Sequence, residues 1–449
     1  MGRDYSGWRI FVDHFLPDIQ VNSALIGNGL SKSARRYSLA VLVVVYTFNF
    51  IDRQILAILL PAIKAEFLVD DWVLGFLVGT SFAVFYATLG MPIALLADRW
   101  NRRNLIAGAL AIWSVMTALS GVAANIVQLS LARIGVGIGE AGCSPPAHSM
   151  ISDYYPPEKR ATAMGIFTLG ISAGILIAYL SGGWLAENLG WRKTLLIVGL
   201  PGLALALIVR FSVTEPVRGM SENRQDNDER YGIMAVARFL YSRKSFVHMS
   251  LGAALASFNA YAVLSFFPSF LIRSHGMKVQ EIGMYLGLII GISSAIGFVG
   301  GGYLADRVGS INRKYALWAI AASALMAWLF VFPLYLLEDS TWVLILFFIS
   351  SVPTNVYLAT TFAQTQSLVR LRMRAAASAV LLFIINIIGM GLGPQFAGIL
   401  SDFLAASYGA DSMRYSLLAI GAVIGPWVAF HYYAASRHIA SDLDRVNTD

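Results

Sequence analysis

Twelve stretches of almost unbroken apolar sequence, each about twenty residues or longer, constrain this chain more than any other feature. They cover approximately 37–61, 71–97, 104–124, 126–152, 161–185, 192–213, 246–272, 280–305, 315–337, 340–368, 374–402 and 413–435. A run of about 20 apolar residues spans a bilayer as a helix, and each of these is too long for a strand. Lipid offers no partner to backbone polar groups, so a spanning segment satisfies its own hydrogen bonds as a helix. The expected fold class is therefore an all-α membrane protein of twelve transmembrane helices. Composition agrees: 57% of the 449 residues are hydrophobic and 13% charged, against roughly 45–50% and 25% in soluble domains. That balance excludes an ordinary soluble enzyme and a disordered chain. A single cysteine, Cys143, excludes an internal disulfide framework and cysteine-based zinc sites.

The one long polar break, residues 214–245, divides the segments six and six. The expected organisation is an N-terminal segment 1–36, a six-helix bundle 37–213, a linker 214–245, a second six-helix bundle 246–435 and a tail 436–449. Trp8, Phe11, Phe15 and Ile19 recur at helical spacing, which fits a helix lying on the membrane surface as well as it fits a loose tail. Residues 1–36 contain no continuous apolar run, so no cleavable signal peptide is expected.

The net charge of +7 is spread between the apolar runs, with no basic block of six residues, which suits membrane topology better than nucleic-acid binding. Alternating crossings place 25 of the 33 Lys and Arg on the side that holds both termini, six opposite, and Arg53 and Arg133 inside the membrane. Cytoplasmic loops carry the excess of Lys and Arg, so both termini are expected in the cytoplasm of a multi-pass protein of the cell's inner or plasma membrane.

The two halves repeat each other. Gly75-x-x-x-Gly79 recurs as Gly283-x-x-x-Gly287, and Leu96, Ala97, Asp98 and Arg99 recur as Leu304, Ala305, Asp306 and Arg307, all offset by 208 residues. An even number of helices returns the chain to the same side, so the halves run parallel. Transporter folds are commonly built this way, with the substrate site between the repeats. The glycine stripes let helices approach closely. Gly137-x-Gly139-x-x-Gly142 matches the dinucleotide-binding spacing but follows no strand and opens no βαβ unit.

Ala94-x-x-x-Asp98-Arg99-x-x-Arg102-Arg103 and Gly302-x-x-x-Asp306-Arg307-x-Gly309 resemble the loop signature of the major facilitator superfamily. Asn49-Phe-Ile-Asp52-Arg53 with Pro61 following, Arg133 and Glu140 in the fourth segment, and Tyr154-Tyr-Pro-Pro-Glu-Lys-Arg-Ala161 resemble its Spinster-like branch, whose members move lysolipids and sphingolipid phosphates. A similar Asn-x-x-Asp-Arg stretch also occurs in symporters of small organic acids. The resemblance, over about residues 37–435, implies two pseudo-symmetric six-helix bundles, with helices 1, 4, 7 and 10 lining a central cavity. Asp98 and Asp306 end the second and eighth segments amid arginines, so Asp98, Arg99, Arg102, Arg103, Asp306 and Arg307 are expected to gate the inner side, the other reading being simple interfacial anchoring.

Asp52, Arg53, Arg133 and Glu140 are the charged side chains that fall inside the hydrocarbon region, and each costs at least about 2.5–3.5 kcal/mol at a helix centre. Helical rise places Arg133 about 10 Å deep, Asp52 about 14 Å and Glu140 about 21 Å, with Asp52 and Arg53 pointing about 100° apart. Burial favours the neutral carboxyl and a neighbouring arginine favours the charged one, an opposition that can set a titration within working pH. The expected roles are proton coupling for Asp52 and Glu140, and a charge network or head-group contact for Arg53, Arg133 and Asn49. The other reading is a structural ion-pair cluster that locks two helices. From the second half, Asn259, Tyr261 and Phe266 of the seventh segment and Thr354, Asn355 and Tyr357 of the tenth are expected to line the cavity. A charged wall facing a neutral aromatic one suits an amphiphile.

The sequence thus reads as a secondary active transporter working by alternating access on an amphiphilic, anionic, lipid-like substrate, with protons as the coupling ion. The alternative is a proton-coupled symporter of small organic acids. No clustered nucleophile and base, metal ligands or nucleotide loop are found, so no enzyme activity and no cofactor are expected. Expected partners are the bilayer, the substrate and protons; a monomer is expected, and no nucleic-acid partner.

Overall fold

The computed structural model describes residues 30–97, 100–218, 220, 232–309, 311–370 and 373–448. The expectations placed on residues 1–29, on Asp98 and Arg99, and on 221–231 lie outside the described residues, as does the side chain of Asp306.

Among the described residues ten runs are long and apolar enough to cross a membrane, and two of these, Ala163–Ser212 and Ala376–Arg445, are 50 and 70 residues long. Each of the two holds a pair of crossings. Pro157–Ser212 turns back at Gly190, whose φ of 78° and ψ of 163° are open to glycine at no steric cost. The other turns at Gly409 (φ 54°). Twelve spanning helices result among the described residues. They are α1 Lys32–Phe67, α2 Asp71–Gly75 continuing through Phe76–Thr80 and Ser81–Ala97, α3 Arg102–Ser120, and α4 Ile126–Glu140 continuing as Ser144–Tyr154. Then come α5 at 157–189 and α6 at 191–212, α7 Lys244–His275, α8 Val279–Gly309, and α9 Arg313–Trp328 continuing as Val331–Leu336. The last are α10 Ser340–Thr354 continuing as Tyr357–Ser367, α11 Arg374–Ile384 continuing through Ile385–Leu392 and Gly393–Tyr408, and α12 Ser412–Thr448. A linker helix, Ile233–Tyr241, precedes α7. The face where α1 begins and α12 ends is called the near face below, and the opposite one the far face.

The starts of these helices are written in the sequence. Ser31, Asn101, Asn125, Asn312 and Asp339 each accept a backbone N–H from the first turn of the helix they precede, and such a cap is worth about 1 kcal/mol in a helix terminus of ordinary exposure. The two backbone donors, Thr341 and Trp342, hold the exposed Asp339 carboxyl below the usual carboxylate range.

Four features differ from the sequence expectation. The fourth segment is broken at 141–143, because Pro145 and Pro146 cannot donate to the carbonyls of Ala141 and Gly142, and the tenth at 355–356, two residues after Pro353. Phe76–Thr80 and Ile385–Leu392 are π-helical, which the apolar pattern conceals. The polar linker contains an amphipathic helix with Val236 and Leu240 buried. The tail expected beyond 435 is the continuation of α12 to Thr448.

The 208-residue repeat appears as a two-fold relation between seams. Gly75 and Gly79 of α2 lie against the backbone of Pro394, Gln395 and Gly391 in α11. Gly283 and Gly287 of α8 lie against the backbone of Tyr179 and Leu176 in α5. Cβ atoms at Gly79 and Gly183 would come within 2.7 Å of the Gly391 carbonyl oxygen and 2.9 Å of the Val279 carbonyl oxygen. Here the absence of a side chain is what allows one half to touch the other.

Candidate substrate and coupling site

The charged cluster sits where α1 crosses α4. Arg53 donates from Nη2 to Glu140 Oε2 at 2.6 Å and from Nε to the same oxygen at 3.1 Å, and reaches Asn49 Oδ1 one turn earlier at 3.4 Å. Three aromatic rings enclose the guanidinium: Phe50 at 4.9 Å, Phe82 at 5.0 Å and Tyr86 at 4.7 Å from the ring centroid. Such contacts attract a cation to the negative face of the ring, and Arg serves them better than Lys because its plane can stack while its edge donates.

Asp52 points to the other side of α1, as the 100° step between neighbours requires. Its buried side chain has Thr117 of α3 among its polar neighbours. Arg133 lies level with it, donating from Nη1 to the Asp52 backbone oxygen at 3.5 Å, and its guanidinium carbon stands 5.6 Å from the Phe82 ring centroid. Spacing along α4 puts Arg133 and Glu140 on one face, yet Arg53 of α1 is the arginine that binds Glu140. Asn49, Asp52, Arg133 and Glu140 are each at most 1% exposed. Four polar atoms of the cluster are buried without a hydrogen-bond partner: Asn49 Nδ2, Asp52 Oδ1, Arg133 Nε and Glu140 Oε1. Buried polar groups are normally satisfied, so unmet ones mark a place where a proton, water or ligand group is accommodated.

A cavity of about 300 Å³ lies beside the cluster. It is formed mainly by α7, α8, α9, α10 and α12 and is closed from the first half by Phe50 and Gln54 of α1 and Ile171 and Ile175 of α5. Asn259, Tyr261, Thr354, Asn355 and Tyr357 line it. Asn259 Oδ1 is buried without a partner, while Thr354 and Asn355 return their hydrogen bonds to Ser350 and Ser351 of their own helix. Its lining residues carry no formal charge. Phe266 is a correction: it is fully buried in the apolar core and lies outside the cavity wall, about two turns of α7 beyond Asn259 on the same face. Cluster and cavity meet at two residues. Phe50 stacks on Arg53 and faces the cavity. Tyr261, from the second half, lines the cavity and is an electrostatic neighbour of Arg53.

Of the loop residues expected to gate, Arg102 and Arg103 find partners on α3, on α4 and at the start of the linker. Arg102, 1% exposed, donates to Asp153, Ser149, Glu215 and the Pro216 carbonyl. The Arg103 backbone N–H donates to Glu215 at 2.8 Å. Together they pin the start of the linker to α3 and α4 and do not bridge the two bundles. Arg307 reaches Tyr303 Oη at 3.5 Å, one turn back on α8.

The sequence reading missed a charged seam at the far face that does bridge them. Asp71, at the start of α2, receives Arg273 of α7 through two hydrogen bonds of 2.6 Å, Lys64 of α1 at 2.6 Å and the Ser401 hydroxyl of α11 at 2.8 Å. Asp402 of α11 accepts the backbone N–H groups of Asp71 and Trp72 at 2.9 and 2.7 Å, so the N-terminus of α2 is capped by the opposite half. Lys64 and Arg273 are visible in the sequence only as minority charges on the far side.

The family model for the Major Facilitator Superfamily matches residues 42–394. An MFS-type efflux pump of Mycolicibacterium smegmatis is 31% identical over 407 residues, 90% of this chain and 94% of that protein. Human protein spinster homolog 1 is 32% identical over 253 residues, 55% of this chain and 47% of that protein. Among solved structures, a bacterial homolog of the human lysosomal transporter Spinster, inward-facing and unoccupied, superposes with a TM-score of 0.84 at 33% identity, covering 92% of this chain and 99% of that one. The chain is thus a membrane transporter and not an enzyme, and it belongs to the Spinster-like branch of the major facilitator superfamily.

Proposed function

We propose that this transporter carries an amphiphile with an anionic head group and couples its movement to protons. The observation that supports it most is the position of Arg53. This cation is held by Glu140 on one edge and aromatic rings on its faces, directly behind the wall of an otherwise uncharged cavity. When a proton reaches the free oxygen of Glu140, its hold on Arg53 weakens, and the guanidinium can turn past Phe50 and Tyr261 to meet an anion. When the proton leaves, Glu140 reclaims Arg53 and the anion is released. Proton and substrate thus compete for one arginine network and need not touch each other. Asp52 and Arg133 supply a second carboxylate and cation one helix face away. The apolar and aromatic remainder of the cavity receives the chain of the substrate.

On this reading the near face is cytoplasmic, as the excess of Lys and Arg there favours, and the Asp71–Arg273 seam closes the route to the opposite side. A small organic acid with two charges would need cations from both bundles, and the cavity lining from α7 to α12 offers none. The test is flux in proteoliposomes holding the purified chain. Lysophospholipid should move at rates well above protein-free liposomes, and a short dicarboxylate or sugar acid should not. Movement of the small acid with no lysophospholipid movement would overturn the substrate class.

A further inference from the structure

A second apolar recess lies away from the central cavity, on the outside of the second bundle, where the linker helix meets α7 and α11. Tyr241, Val247, Leu251, Phe383, Ile384 and Ile388 line it, and it encloses about 410 Å³. Tyr241 is 57% exposed and Phe383 38%, so the groove is open on one side. The linker helix packs against Arg374–Ile384 of α11 and contributes Tyr241 to the groove.

Three basic residues precede the lining residues on the same three elements. Arg238 is one turn before Tyr241 on the linker helix, and Lys244 is one turn before Val247 at the start of α7. Arg374 opens α11, about 13 Å along the helix before Phe383. All three are exposed. Asp442 of α12, which packs on the start of α7, is buried and accepts the backbone N–H and hydroxyl of Ser245 at 2.8 and 2.7 Å. An apolar slot running into the membrane beneath three solvent-facing cations has the shape and charge of one particular occupant.

We propose that this groove binds an anionic phospholipid from the leaflet at the near face, one acyl chain lying between Leu251 and Ile384 and the phosphate group meeting Arg238, Lys244 and Arg374. Basic residues at a membrane surface attract anionic head groups. A lipid so placed ties the linker helix to α7 and α11, and hence the linker between the bundles to the second bundle. The site is independent of the substrate assignment, because it shares no residue with the central cavity.

The full chain, purified in detergent, is titrated separately with phosphatidylglycerol and with phosphatidylcholine of the same acyl chains, and bound lipids are counted by native mass spectrometry. The first phosphatidylglycerol should bind about tenfold tighter than phosphatidylcholine. The triple variant Arg238→Ala, Lys244→Ala, Arg374→Ala, altered at exposed positions only, should lose that preference with an unchanged melting temperature. Ile384→Trp, which fills the groove, should weaken both lipids, and Ile388→Trp serves if the first fails to fold. Equal affinity for the two lipids in the wild type overturns the proposal, as does a preference that survives the triple variant. Preference intact in both groove-filling variants shows cations acting without the groove and also overturns it. A dimer that disappears in Ile384→Trp would assign the groove to a second copy instead.

Discussion

Arg53 and Glu140 are joined by two hydrogen bonds to a single carboxylate oxygen, leaving the other oxygen unpartnered. A lysine at position 53 would keep the charge but could neither donate from two nitrogens nor stack among Phe50, Phe82 and Tyr86. Arg53→Lys should therefore lower flux by roughly tenfold, the scale of a desolvated cation–π contact, while the protein stays folded; wild-type flux would show that only the charge matters. Which arginine meets Glu140 was not legible in the sequence. Helical spacing separates Asp52 from Arg53 and aligns Arg133 with Glu140, and both statements hold in the structure. The reach of an arginine side chain, however, is decided by the rings around it, and Phe82 and Tyr86 come from a different helix. Phe266 was misplaced for the related reason that an aromatic residue reads the same whether it faces a cavity or the core.

Helix pairs across the two seams behave as the repeat implies. The glycines offset by 208 residues were legible because close approach needs a residue with no side chain, and such a need leaves its mark in sequence. Gly283→Leu would push a side chain into the Tyr179 backbone, at a cost of about 1–3 kcal/mol or more. A fall in melting temperature with loss of flux is expected, and an unchanged melting temperature would mean that α5 and α8 part more easily than their packing indicates. The far-face seam was not legible, since Asp71 and Arg273 are 202 residues apart and charges at helix ends are ordinary in sequence. Arg273→Gln removes two of the four side-chain donors to the buried Asp71, and breaking such a pair costs about 3 kcal/mol. Spin labels at Leu68 and Phe403, both strongly exposed and on opposite bundles, should then show a larger population at long distance. A distance distribution identical to wild type would remove the gating role from the seam. The π-helical turns at 76–80 and 385–392 were hidden because one extra residue per turn leaves a long apolar run unchanged.

At the scale of the whole molecule, the count of twelve crossings and the parallel halves followed from apolar length and the 208-residue offset alone, because lipid leaves the backbone so few choices. Orientation rests on charge, and it is testable with the native Cys143 buried and silent. Ser242→Cys on the near face should resist a membrane-impermeant maleimide in intact cells, whereas Asp70→Cys on the far face should label; the reverse pattern would invert the molecule. The most direct test of the proposed coupling is net lysophospholipid flux in proteoliposomes under an imposed pH gradient, wild type against Glu140→Gln. Gln keeps the shape of Glu and removes the proton site. Gradient-driven flux should fall by about tenfold or more, the size of an ordinary coupling free energy, while substrate binding at fixed pH persists. Wild-type flux with an unchanged response to the gradient in Glu140→Gln, and again in Asp52→Asn, would make the buried charges a structural lock and contradict the coupling.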